Sequence, residues 1–274
     1  MFKYCNANGI SIAYQDRGAG EPLLLLMGLG ASSLKWEPHM AVYEKFFRVI
    51  APDNRGSGKS DKPKLETYTI REMAQDALAV LDAAGIESAH INGISMGGAI
   101  AQYIAIHYPQ RVRSVVLTNT FPRCSNSFRR SIEFLRDLRG SIDDSLFGSI
   151  LTWIIYSSAF QERNDAYIQK ATIQDPDSEN PVPVYAFKAQ CNGILGFDAT
   201  KELHKIAAPV LIASGDLDQF APVWLTREMA EAIPDVEEYV CHDGGHAQHW
   251  EQLEAYNAIT LSFLLRHSRV KDDR

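Results

Sequence analysis

Short, continuous runs of apolar residues recur along the chain and are bounded by turn residues. The clearest run, at 23–27, reads Leu-Leu-Leu-Leu-Met and is typical of a strand buried on both faces of a sheet. The run at 10–14 instead alternates apolar and polar residues, as an edge strand does, and a turn follows at 16–20. Five further runs predict strands, at 47–51, 89–92, 112–118, 210–214 and 236–241.

Longer segments with apolar residues at helical spacing lie between these runs. They predict helices at 70–84, 95–107, 223–232 and 248–265, and Gly85 is a suitable C-terminal stop for the first. Strands and helices therefore alternate. The pattern predicts an α/β fold with a mainly parallel central sheet flanked by helices.

The alternation breaks between residues 121 and 207. This segment carries apolar residues at helical spacing, among them Phe134, Leu135, Leu138, Phe147, Leu151, Trp153, Ile154 and Ile155. Three prolines at 175–183 must interrupt the surrounding helices. A structureless loop of such length is uncommon in a compact domain. We therefore predict a mostly helical cap at 121–207, lying over one end of a core formed by 1–120 and 208–274.

Net charge argues against nucleic-acid and membrane partners, and the N-terminal residues and cysteines favour the cytoplasm. With 27 basic and 34 acidic side chains the net charge is −7, so neither nucleic acid nor an anionic membrane is an expected partner. The first residues show no basic stretch followed by an apolar run, which argues against a secretory signal. The four scattered cysteines are more typical of free thiols in the cytoplasm than of disulfides.

A glycine-rich turn between a predicted strand and a predicted helix presents a candidate nucleophile. Residues 93–97 read Gly-Ile-Ser-Met-Gly, which fits the pattern G-x-S-x-G around Ser95. A side chain that attacks a carbonyl must project from a sharp turn, and the two glycines relieve the crowding there. The helix N-terminus that follows favours negative charge beside the serine oxygen. A purely structural turn is the alternative.

A base and an acid must accompany such a serine. His246 lies in a Gly-rich turn after the strand at 236–241, whereas structural roles suit His90, His107, His204 and His267 better. Both Asp216 and Asp218 follow the strand at 210–214, where turn-forming or helix-capping roles are also common for Asp. The order Ser, Asp, His matches one well-defined hydrolase geometry.

A metal site is the competing interpretation of the histidine-rich turn. His242, His246 and His249 lie close together in the chain, but no acidic or cysteine cluster completes a good ligand set. We predict no metal and no cofactor.

Five segments in the correct order resemble the α/β-hydrolase superfamily, in its serine-nucleophile branch. They are the oxyanion segment 23–30, the D-x-R-G-x-G-x-S turn at 53–61, the nucleophile elbow at 93–98, the G-x-x-D-x-x-x-P acid turn at 215–222 and Gly245-His246. The resemblance favours Asp218 over Asp216. It implies that the backbone N–H groups of Leu29 and Met96 form the oxyanion hole. Most relatives carry His where this chain has Met27, which puts the hydrogen bonds that support that loop in doubt.

The chain is similar to small carboxylesterases and to 3-oxoadipate enol-lactonase-like hydrolases. That likeness implies hydrolysis of a carboxylic ester or lactone of a small apolar or aromatic substrate through an acyl-enzyme. Trp153, Tyr156 and Trp250 are candidate pocket residues. Two alternatives stay open: a hydrolase of carbon–carbon bonds in aromatic ring-fission products, suggested by G-H-x-x-x-W-E at 245–251, and a slow-turnover small-molecule receptor. The sequence leaves the oligomeric state open.

Overall fold

An eight-stranded sheet forms the centre of the computed structural model, which describes residues 1–173, 177 and 179–268. Its spatial order is β1-β2-β4-β3-β5-β6-β7-β8. The pairs β1–β2 and β2–β4 are antiparallel, and every other neighbouring pair is parallel. The strands are β1 Phe2–Ala7, β2 Ile10–Arg17, β3 Glu21–Leu26, β4 Phe47–Pro52, β5 Ala89–Ile94, β6 Val112–Thr118, β7 Val210–Gly215 and β8 Val236–Cys241.

Helices cover both faces of this sheet, and five of them lie between β6 and β7. The helices are α1 Glu37–Tyr43, α2 Ile70–Ala83, α3 Met96–His107, α4 Asn126–Leu138, α5 Asp144–Ile155, α6 Ser158–Arg163, α7 Asp165–Ile173, α8 Val184–Leu195, α9 Val223–Ala232, α10 Gln248–Glu251 and α11 Leu253–Arg266. We call residues 121–207, which contain α4 to α8, the cap segment. Its existence as a unit separate from 1–120 and 208–274 stays a prediction.

Alternate residues of β3 enter two different hydrophobic cores. Leu24 and Leu26 pack with the cluster that includes α2 and α3, whereas Leu23 and Leu25 pack on the opposite face with α1 and α11. All four leucines are fully buried. This explains why the strand reads as an uninterrupted apolar run, since successive side chains point to opposite faces and both faces are covered.

All seven predicted strands are present, and the fold class is the predicted one. The strand β1 was not predicted, because Lys3 and Tyr4 on this outer strand are exposed and leave little apolar pattern. The helix predicted at 248–265 is wrong as a single element. Gln252, with φ −125° and ψ 51°, separates α10 from α11.

Of the three prolines predicted to interrupt the cap, Pro181 and Pro183 lie between α7 and α8, and Pro176 lies outside the described residues. No helix in the described part of the chain has the length and apolar character needed to cross a membrane. The four cysteines are free thiols.

Candidate active site

Ser95 occupies the sharp turn between β5 and α3. It is the N-cap residue of α3 rather than part of the helix, with φ 54° and ψ −118°. Positive φ is unfavourable for a residue with a Cβ, so the surroundings must hold this conformation. The backbone N–H of Ser95 donates to the carbonyl of Thr118 at 2.9 Å, and the Thr120 hydroxyl donates to the carbonyl of Ser95 at 2.7 Å.

Close backbone contacts explain the two glycines of this turn. A Cβ on Gly93 would lie 2.3 Å from the carbonyl oxygen of Gly97, and a Cβ on Gly97 would lie 2.0 Å from the carbonyl oxygen of Leu26. Both distances are too short for any side chain. The turn can therefore form, and α3 can approach β3, only because these positions lack side chains.

The structure brings three of the predicted side chains into one hydrogen-bonded chain. Ser95 Oγ lies 3.1 Å from His246 Nε2, and His246 Nδ1 lies 2.8 Å from Asp218 Oδ2. A carboxylate only accepts hydrogen bonds, so Nδ1 carries the proton and Nε2 is left free to accept one from the serine hydroxyl. The Asp218 side chain is 1% exposed and that of His246 10%. This arrangement is the one required of nucleophile, base and orienting acid.

Two backbone groups hold the remaining oxygen of Asp218. Its Oδ1 accepts the N–H groups of Phe220 and Ala221, each at 2.8 Å. The neighbouring Asp216 points elsewhere and contacts His242 Nδ1 at 2.8 Å, on an imidazole that is 88% exposed. The structure therefore places Asp218, and not Asp216, beside His246.

The loop after β3 passes directly over the serine. A Cβ on Gly28 would lie 3.3 Å from Ser95 Cβ and 3.8 Å from its Oγ. Within the described part of the chain, the N–H groups of Leu29 and Met96 donate to no protein acceptor. Met96 also begins α3, where the helix dipole favours negative charge. Both amides are thus free to donate to an oxyanion, and that role stays a prediction.

Two polar side chains that the sequence did not identify as functional hold the turn that carries His246. Asn119, with φ 43°, donates to the carbonyls of Gly245 at 3.0 Å and His246 at 2.5 Å, and it accepts the N–H of Gly215 at 3.1 Å. Glu251 accepts the N–H of Gly245 at 3.0 Å. Burial raises the pKa of the Glu251 carboxyl, while its hydrogen bonds favour the charged form.

The predicted pocket residues lie in three different environments. Tyr156 is buried and stacks on Phe160 with ring centroids 5.5 Å apart, and burial raises its pKa. The indole N–H of Trp250 donates to the carbonyl of Lys35 at 3.4 Å. Trp153 is 66% exposed. Of the three, Tyr156 has the surroundings that best suit a pocket residue, and the role of each stays a prediction.

Two phenylalanine rings contact residues of the site directly. Phe220 stands edge-on to the imidazole of His246 with centroids 5.1 Å apart, and Phe128 packs on Phe220 at 5.3 Å. A Cβ on Gly30 would lie 2.9 Å from Phe187 Cε2, so this ring covers the loop at 27–30, which we call the oxyanion loop after its predicted role. The sequence indicated these rings only indirectly. Phe128 and Phe187 belong to the apolar cap segment and Phe220 to the acid turn, and their contacts join residues far apart in the chain.

The histidine-rich turn does not gather a metal ligand set. Among the described residues, no group of three or more His, Cys, Asp and Glu side chains is placed to hold a metal ion. His249 instead lies in an aromatic cluster, with its ring centroid 5.7 Å from that of His39 and 4.3 Å from that of Trp250. The prediction that the protein needs no metal is left untested by this observation.

Several known proteins are similar to this chain along nearly its whole length. The "Putative carbamate hydrolase RutD" of Azorhizobium caulinodans is 28% identical over 263 residues, covering 95% of this chain and 97% of that protein. An enol-lactonase from Burkholderia xenovorans is 25% identical with a TM-score of 0.84, covering 96% of this chain and all of that one (100%). Est816, described as an N-acyl homoserine lactone degrading enzyme, is 26% identical with a TM-score of 0.82, covering 95% of this chain and 100% of its own.

A match to a protein-family model shows which family the chain belongs to. The model of the alpha/beta hydrolase fold matches residues 21–253, which is most of the chain and includes every residue of the site described above. The chain therefore belongs to the α/β-hydrolase fold family, as the five ordered segments of its sequence predict.

Proposed function

We propose that the protein is a serine hydrolase that cleaves a carboxylic ester or lactone of a small apolar or aromatic substrate through an acyl-enzyme. The observation that carries this proposal is the hydrogen-bonded chain of Ser95, His246 and Asp218, with distances of 3.1 Å and 2.8 Å. A serine hydroxyl becomes a competent nucleophile when a base accepts its proton and a third group fixes the tautomer of that base.

The proposed reaction has two halves. As Ser95 Oγ attacks the substrate carbonyl carbon, its proton passes to His246 Nε2 and the carbonyl oxygen becomes negative. The N–H groups of Leu29 and Met96 donate to that oxygen, and one such donor is worth about 10²–10³ in kcat. The bond to the leaving oxygen then breaks, and His246 returns the proton to it. In the second half, water gives its proton to His246 and attacks the acyl carbon. The bond to Ser95 Oγ then breaks, and His246 returns the proton to Ser95.

The surroundings of the site support an uncharged substrate. Phe220 and Phe187 border His246 and the oxyanion loop. The nearby carboxylates already have partners, since Glu251 binds Gly245 and Asp218 binds His246. A charged substrate would lose its hydration here without gaining an opposite charge, which is unfavourable in an apolar pocket.

The names of similar proteins support acyl transfer and widen the substrates to be tested. Two solved neighbours are named for lactones and a curated relative for carbamates. Esters, lactones and carbamates all present a carbonyl carbon to the nucleophile. Carbon–carbon bond hydrolysis and slow turnover by a receptor are the alternatives that use the same three side chains. We further propose a cytoplasmic location, which suits four free cysteines, and no metal or cofactor.

Labelling followed by a substrate panel tests the proposal. A fluorophosphonate probe should label the parent protein and not the Ser95→Ala variant, whose ester hydrolysis should fall by about 10⁴–10⁶ in kcat. The panel contains p-nitrophenyl acetate, butyrate and benzoate, an N-acyl homoserine lactone, a phenyl carbamate and a ring-fission diene. A Ser95→Ala variant that kept more than about a tenth of the activity would disprove the nucleophile. Turnover of the diene alone would establish the carbon–carbon alternative.

A further inference from the structure

Two side chains hold the peptide groups on either side of the Leu29 N–H. Asn54 donates from Nδ2 to the carbonyl oxygen of Met27 at 2.9 Å, which fixes the peptide that enters Gly28. Gln190 accepts the N–H of Gly30 through Oε1, also at 2.9 Å, which fixes the peptide that leaves Leu29. The peptide between these two anchored groups is the one that carries the Leu29 N–H.

Both anchors belong to one continuous structure. Gln190, on α8 of the cap segment, is fully buried, and its Nε2 donates to the carbonyl of Arg55 at 2.9 Å and to Ser57 Oγ at 3.0 Å. Asn54 lies beside Arg55 in the turn at 53–61 and is 5% exposed. The oxyanion loop is therefore connected to this turn twice, directly through Asn54 and indirectly through Gln190.

Buried polar contacts hold that turn firmly. Asp53 accepts the N–H of Ser33 at 2.7 Å and the N–H of Lys59 at 2.8 Å. Arg55 binds both carboxylate oxygens of Asp76, at 2.6 Å and 2.9 Å, with both side chains almost completely buried. A paired arginine–carboxylate bond of this geometry fixes orientation as well as distance. The anchors therefore start from a rigid support.

Rigid support matters because an oxyanion donor works by being oriented before charge develops. A donor that must reorganise during the reaction loses much of its benefit, and small displacements near the reacting atoms cost large factors in rate. We propose that Asn54 and Gln190 are positioning residues that hold the Leu29 N–H towards the oxyanion position. This inference rests on the proposed serine-hydrolase function. It also gives the cap segment, which contains the candidate pocket residues Trp153 and Tyr156, a part in catalysis through Gln190.

Gln190→Leu and Asn54→Ala, each removing one anchor, test the inference. Asn192→Leu is the matched control. It lies two residues from Gln190 on α8 and donates to the backbone carbonyl of Glu66 at 2.8 Å, and among the described residues its side chain has no hydrogen bond to the oxyanion loop. For each variant we would measure kcat, KM, the inhibition constant of a trifluoromethyl ketone, which forms a tetrahedral oxyanion on the serine, and the thermal midpoint.

Loss of either anchor should lower kcat by about 10- to 100-fold, less than complete removal of one oxyanion donor. KM should change by less than about threefold, because ground-state binding does not use the oxyanion geometry. Affinity for the trifluoromethyl ketone should fall by the same factor as kcat. Asn192→Leu should leave kcat and ketone affinity within about threefold, whatever its effect on the thermal midpoint.

The outcomes separate this inference from the proposed function. A parent protein that is not labelled through Ser95 overturns both. A labelled parent with unchanged kcat and ketone affinity in the two anchor variants overturns the positioning role alone, as does an equal loss in Asn192→Leu. Because Asn54 and Gln190 lie on different elements, whichever variant folds carries the test.

Discussion

The carboxylate of Glu251 joins the turn that bears His246 to the cap segment through Ser157. It accepts the Ser157 N–H at 2.7 Å and the Ser157 hydroxyl at 3.1 Å, in addition to its bond with Gly245. On the other side of His246, the N–H of Ala247 donates to the carbonyl of Ile155 at 2.8 Å. The cap segment therefore contacts the proposed base turn on both sides, besides contacting the oxyanion loop through Gln190.

Glu251→Gln should weaken this connection while preserving shape. The amide has one acceptor oxygen and places an NH₂ group towards an N–H donor, so a buried donor is left unpaired at a cost of about 1–3 kcal/mol. We expect kcat for p-nitrophenyl acetate to fall by about tenfold as His246 loses its fixed position. Glu254→Gln, an exposed change on the neighbouring helix, is the control. Equal kcat in both variants would show that Glu251 does not position the base.

The two aspartates of the acid turn differ in what they bind, and their variants should differ accordingly. Asp218→Asn should lower kcat by about 10⁴, because the amide stabilises the wrong tautomer of His246. Asp216→Asn should stay within about threefold of the parent, since that side chain bonds to the exposed His242 and not to His246. Steady-state kinetics on p-nitrophenyl acetate measure both. The reverse ranking would move the acid to Asp216.

Patterns within short stretches of sequence predict the features that depend on neighbouring residues. Seven strands, the elbow around Ser95 and the order of the five segments follow from short runs of sequence, whereas the outer strand β1 does not. The supports of the site do not, because Gln190 and Gly30 are 160 residues apart and Asn119 and His246 are 127 apart. Met27 stands where most relatives carry His, which put the hydrogen bonds that support the oxyanion loop in doubt. Two residues distant in the chain, Asn54 and Gln190, form supporting hydrogen bonds to this loop.

Buried histidines should make the stability of the fold depend on pH. Burial lowers the pKa of His39 to about 4 and also lowers the pKa of His249. In the unfolded chain these groups titrate near 6.5, so below that pH the unfolded state binds more protons than the folded state. Stability must therefore fall as pH falls from about 6.5 towards the folded-state pKa values.

Replacing one of these histidines measures its contribution to the pH dependence of stability. His249→Phe keeps an aromatic ring beside Trp250 and removes the titration. The free energy of unfolding of the parent should fall relative to this variant as pH falls below about 6.5, because burial lowers the pKa of His249. His242→Gln should show the opposite sign, because Asp216 raises the pKa of the exposed His242. Urea unfolding at pH 5, 6, 7 and 8 provides the comparison. A difference between parent and His249→Phe that did not vary with pH would mean that folding leaves the pKa of His249 unchanged, which would contradict a pKa lowered by burial.

The rings that border the site should set the preferred size of the acyl group. Phe187 covers the oxyanion loop, so shrinking it to Ala should open space over the loop that passes Ser95. Tyr156 is tested beside it as a predicted pocket residue, because its chain neighbours Ile155 and Ser157 bond to the turn that bears His246 and to Glu251. One extra buried methylene is worth about 0.8 kcal/mol, or nearly fourfold in kcat/KM. The butyrate-to-acetate ratio of kcat/KM should therefore rise by about fourfold or more in Phe187→Ala and Tyr156→Ala. Trp153→Ala should have a smaller effect, because Trp153 is 66% exposed. Unchanged ratios in both ring variants would remove these residues from substrate selection, and an equal loss on every ester would assign them a structural role instead.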